Sequence, residues 1–178
     1  MRGEAGTNHP PVSQQLLEDK GNLFPVILYK LRAGEEISHM MAFCRWLGTN
    51  ALPALPLIVQ TIHRGEPFED YNNALSALGG LGQAAGCAKP LLILARENAE
   101  NGNFNYALKR IGPAPRRVMP LLAQLLNHKN PEVCKLAAKA VMETASLGPQ
   151  FQNLTEERQV AEVRKWWEKT GSGMKWEP

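Results

Sequence analysis

The chain has 178 residues, 44% of them hydrophobic and 21% charged, with a formal net charge of +3. That balance suits one ordinary domain or a short repeat array with a continuous core and excludes a disordered chain. No apolar run approaches the roughly 18 to 20 residues of a membrane-spanning helix, the first ten residues lack the apolar stretch of a signal peptide, and a charge this small does not by itself imply a nucleic-acid partner.

A polar arm is expected over residues 1–11, a repeat domain over 12–169 and a tail over 170–178. Three prolines each open an apolar run: Pro56 (followed by Leu57, Ile58, Val59), Pro90 (Leu91, Leu92, Ile93) and Pro120 (Leu121, Leu122, Ala123). Pro25, ahead of Val26, Ile27 and Leu28, fits the same template. A second marker keeps phase with them. Leu47-Gly48, Leu78-Gly79 and Ile111-Gly112 each stand shortly before a marker proline. The physical reading is a helix ended by a glycine able to adopt the left-handed C′ conformation, a short link, and a second helix with proline in its first turn.

In chain order this predicts a first pair of helices over Val12 to Lys20 and Leu23 to Arg32. The second pair covers Glu35 to Leu47 and Ala51 to Arg64. The third covers Phe68 to Leu78 and Ala85 to Glu100. The fourth covers Asn105 to Ile111 and Arg116 to His128. The fifth covers Pro131 to Ser146 and Thr155 to Lys169. Gly21, Gly34, Gly65 and the Asn101-Gly102-Asn103 stretch punctuate them. Strand signals are absent. Thr155 is the expected N-cap of the last helix, and Trp166 and Trp176 are expected to plug the exposed final layer.

Asn130-Pro131-Glu132-Val133 with Ala137, Ala138 and Ala140 resembles the first helix of a HEAT repeat. Ile111-Gly112-Pro113 through Pro120-Leu121-Leu122 is similar to the link and second helix of bacterial HEAT proteins. The resemblance covers roughly residues 23–169. It implies an all-α fold, a right-handed α-α superhelix (solenoid) of about five antiparallel helix pairs stacked into a quasi-one-dimensional core. Departures are Cys134 where that family usually has an arginine, extra residues before Leu147-Gly148, and the longer link Gly80 to Gly86.

Catalytic motifs are missing: there is no GxSxG, Walker loop or HExxH. Gly79-Gly80-Leu81-Gly82 reads as a flexible link between two helices, since the familiar phosphate cradles follow a strand. Cys44, Cys87 and Cys134 are odd in number and widely spaced, which reads as buried packing in a reducing compartment. His63 and His128 fall near helix C-termini, where the dipole favours a cation, and the pairs Glu35-Glu36, Glu69-Asp70 and Glu156-Glu157 fall at helix starts. No metal and no cofactor is expected.

Two candidate surfaces follow. The resemblance places the second helices on the concave face, where the polar positions are Gln60, His63, Arg64, Glu97, Asn98, Gln124, Asn127 and His128. A non-catalytic scaffold binding a protein partner there is the first reading. The alternative is a nucleic-acid or other anionic partner on a basic half, residues 104–142, carrying Lys109, Arg110, Arg116 and Arg117 with Lys129, Lys135 and Lys139 against Glu132. A third reading is a lyase-like enzyme subunit with a tetrapyrrole partner, since HEAT-like repeats occur in such proteins. The expected setting is cytoplasmic. The sequence leaves the oligomeric state open, with a monomer the simplest expectation.

Overall fold

The computed structural model describes residues 20–65, 67–98 and 102–176, and for residues 20–22 and 97–98 the backbone alone. The arm at 1–11, most of the helix expected from Val12, and Glu100 lie outside the described residues. Among those described, the fold is all-helical, without strands. The α-helices are α1 (Lys20–Ala33), α2 (Ile37–Leu47), α3 (Leu55–Arg64), α4 (Phe68–Leu81), α5 (Lys89–Leu94), α6 (Gly102–Ile111), α7 (Met119–Leu125), α8 (Pro131–Ala145), α9 (Pro149–Gln152) and α10 (Glu156–Lys169). Short 3-10 segments at Gly48–Ala54, Gly82–Ala88 and Arg116–Val118 lead into α3, α5 and α7.

The marker prolines do what their chemistry allows. Pro56, Pro90 and Pro120 sit in the first turns of α3, α5 and α7, where no intrahelical N–H bond is lost. Pro25 is the exception and lies inside α1, as does Gly21. Asn130 caps α8: its side chain accepts the Glu132 N–H at 2.9 Å. Thr155 occupies the N-cap of α10 but makes no side-chain capping bond. The turn α9 was not expected.

One helix end needs correction. α4 runs through Gly79 and Gly80 and ends at Leu81, with Gly82 as its cap. Gly82 (φ 56°, ψ −140°) has nearly the conformation of Gly48 (φ 56°, ψ −132°), which caps α2. A side chain is strained in that region. Gly48, Gly82 and Gly112 each precede their marker proline by eight residues. Leu81-Gly82, rather than Leu78-Gly79, is therefore the true counterpart of Leu47-Gly48.

The helices form two layers. In one, α4 packs between α2 and α6; in the other, α5 packs between α3 and α7. The first layer then breaks off. Helix α8 packs on α7, α10 and α5, and makes almost no approach to α6. The buried core divides at the same place. One cluster runs from Ile27 to Ile111, and another gathers Ile93, Met119, Leu122, Val141 and Val163; half-buried Leu108 and Leu136 border both.

The far end is closed by aromatic packing. Trp166, Trp167 and Trp176 have ring centroids 6.0–6.4 Å apart and pack against the second cluster. Trp176 Nε1 donates to the Gly171 carbonyl at 2.7 Å, so its one polar group is satisfied. The stretch Phe68–Leu94 alone among the described residues is long and apolar enough to cross a membrane. It is interrupted at Gly82, and 61% of its most apolar window is buried inside the protein.

Candidate binding surfaces

The proposed stripe is split by the structure. Gln60, His63 and Arg64 are exposed on α3, and Gln60 and Arg64 line a hollow of about 270 Å³ shared with Leu31, Arg32 and Ile37. Gln124 and Asn127 are exposed on and just after α7. His128 lies past the end of α7, and its Nδ1 accepts the Asn130 N–H at 3.2 Å. That bond makes it part of the turn into α8. It also lines a separate hollow with Cys134, Lys135 and Arg164. The backbones of Glu97 and Asn98 end the 3-10 turn Ala95–Asn98 after α5, and their side chains lie outside the described residues.

A different set of side chains repeats along the same layer. Leu91 and Leu121, each immediately after its marker proline, are 51% and 50% exposed. Their counterpart Leu57 is half-buried. The next residue in each helix, Ile58, Leu92 and Leu122, is at most 1% exposed. The inward position is thus the same in three neighbouring helices, and the residue before it is exposed in two of them, α5 and α7. The sequence contained this signal in the Pro-Leu pairs, but the outward member could not be told from the inward one without the layer.

The basic half changes character in three dimensions. Lys139 Nζ lies 2.6 Å from Glu156, and Lys135 Nζ lies 3.0, 3.5 and 3.6 Å from Glu132, Glu156 and Glu157. These carboxylates come from the starts of α8 and α10, and the resulting pairing lowers the Glu156 pKa from its usual value, mainly through the Lys139 hydrogen bond. Arg116 stacks over Trp176 at 5.9 Å, and Arg117 donates to the Cys87 sulfur at 2.7 Å. Arg110 and Lys109 are exposed. Lys135, Lys139 and Arg116 are therefore already engaged at the C-terminal end of the fold and Arg117 at the segment before α5, while Lys109 stands apart from them.

Lys109 borders the gap between α6 and α8. The gap is a cleft of about 510 Å³ lined by Leu108 and Leu136, the exposed Lys109 and Lys139, the buried Lys89 and the half-exposed Glu143. Lys89 is only 3% exposed. Its Nζ donates to the Gly112 carbonyl and to Glu143 Oε2, both at 2.7 Å. The residues immediately before the four marker prolines are Phe24, Leu55, Lys89 and Met119. A charge thus occupies a position that is apolar in the other three. Sequence reasoning passed over Lys89, although this comparison of equivalent positions would have found it.

No family model matches the chain, and neither a curated protein nor a solved structure matches it. Among the described residues, no group of three or more His, Cys, Asp or Glu side chains is placed to hold a metal ion.

Proposed function

We propose that the chain is a non-catalytic protein–protein interaction scaffold, a short right-handed solenoid of the HEAT type whose second-helix layer, α3, α5 and α7, seats a protein partner. The observation that carries this reading is the pair of outward leucines, Leu91 and Leu121, at equivalent places on adjacent helices. Packing within the chain leaves about half of each uncovered, and each would contribute roughly 1 kcal/mol or more if a partner covered that half. The repeated positive-φ glycines Gly48, Gly82 and Gly112 and the repeated prolines support the solenoid, with α8 as a departure from it. The three free cysteines, two of them buried, support a reducing, cytoplasmic setting.

The test is site-specific photo-crosslinking in the protein's own cells, with a photoreactive residue at position 91, 121 or 68. Phe68 is an exposed apolar residue at the start of α4. The reading expects one partner captured from positions 91 and 121, and lost with Leu91→Asp or Leu121→Asp at unchanged helicity. Capture of the same partner only from position 68 would move the site to the other layer and end this proposal.

A further inference from the structure

A buried ammonium at an otherwise apolar repeat position is costly unless it is fully paired. An ammonium has three donors; two are engaged by Gly112 and Glu143, and the described residues give the third no acceptor. The group lines a cleft where the two halves of the core meet, beside Leu108 and Leu136. Size, apolar walls and a few converging polar groups are the attributes of a small-molecule site.

The local charge balance narrows the ligand. Glu143 offsets Lys89, and Glu156 offsets Lys139 at 2.6 Å. Lys109 remains as a surplus positive charge at the rim, so the cleft suits a single negative group. The Glu143 side chain is about half exposed, whereas that of Lys89 is 4% exposed; Glu143 is the member of the pair able to swing aside. Leu108 and Leu136 offer half-buried apolar surface to whatever enters.

We infer that the cleft between α6 and α8 binds a small apolar molecule carrying one oxyanion, a carboxylate or a phosphate monoester, with its oxygens on Lys89 and Lys109 and its apolar body against Leu108 and Leu136. The site is separate from the leucine surface of the second-helix layer and does not depend on it.

Calorimetric titration of the whole chain tests this with octanoate and octyl phosphate as probes, and octanol, acetate and inorganic phosphate as controls. Octanoate, octyl phosphate or both should bind saturably, at least tenfold more tightly than every control; the tighter of the two identifies the oxyanion. Lys109→Gln, at an exposed position, should weaken that binding at least threefold, and Lys89→Met should abolish it with helicity retained. Glu143→Gln removes the competing carboxylate and should tighten binding, a gain that a merely structural role for the pair would not produce. Leu91→Asp should leave it unchanged. Octanol binding as tightly as octanoate, acetate or phosphate alone binding as tightly, or Lys109→Gln without effect would each overturn the inference. Should Lys89→Met fail to fold, the Lys109 and Glu143 variants still decide it.

Discussion

Gly80 of α4 lies directly against the backbone of Arg45 in α2: a Cβ built on Gly80 would stand 2.6 Å from the Arg45 carbonyl oxygen and 2.8 Å from its Cα. Its neighbour Gly79 faces the other way, where a Cβ would meet the Tyr106 ring at 2.4 Å and Ala107 Cα at 3.3 Å. The glycine pair thus lets one helix approach both of its neighbours closely. Each glycine costs the helix about 1 kcal/mol in propensity, and close packing on both sides offsets it.

Gly80→Ala should therefore destabilise the protein by about 1–3 kcal/mol, the usual cost of overpacking, because the opposing atoms are backbone and have nowhere to move. Gly79→Ala meets mainly the Tyr106 side chain, so Tyr106→Ala should relieve much of its cost. Gly173→Ala, with nothing within 4 Å, should change stability by less than about 0.5 kcal/mol. Urea unfolding of the four variants checks the order. Equal stability for Gly80→Ala and Gly173→Ala would mean that α2 and α4 do not approach one another this closely.

Inward and outward positions of the second helices should separate cleanly. Leu92→Ala and Leu122→Ala remove fully buried side chains and should each cost about 2–5 kcal/mol. Gln124→Ala and Asn127→Ala, at exposed positions, should cost under about 0.5 kcal/mol. Similar losses in both sets, read from denaturation midpoints, would show the helix phase to be wrong.

Cys44 offers a test by pH. It is fully buried in α2, and burial pushes its thiol up to about 11. An unfolded thiol ionises near pH 8.5–9. Between that value and about 11 the unfolded chain has lost the proton while the folded one retains it, so this group lowers stability as pH rises. Stability should fall between pH 9 and 11 more steeply in the native protein than in Cys44→Ala. At pH 8 the native thiol should react with an alkylating reagent only as fast as the protein opens. Parallel pH profiles, or labelling of Cys44 at the rate of an exposed thiol, would contradict its burial.

What could be read from the sequence alone was local. Pro56, Pro90 and Pro120 announce helix starts because a residue without an N–H fits the first turn. Asn130-Pro131 announces α8 because the cap and the proline are neighbours in the chain. The all-helical class and most helix spans follow from such short-range chemistry and from apolar periodicity. Contacts between residues distant in sequence are another matter. Gly79-Gly80-Leu81-Gly82 reads as a link until α2 and α6 are placed on either side of it; only then are two of its glycines packing surfaces and the third a cap. The run of cations from Lys109 to Lys139 reads as a basic half until α10 brings Glu156 and Glu157 across it. Lys89 and Glu143 are 54 residues apart, and no periodicity connects them. They meet because α8 leaves the first layer and packs on α5, and this decision of tertiary packing also opens the cleft they share.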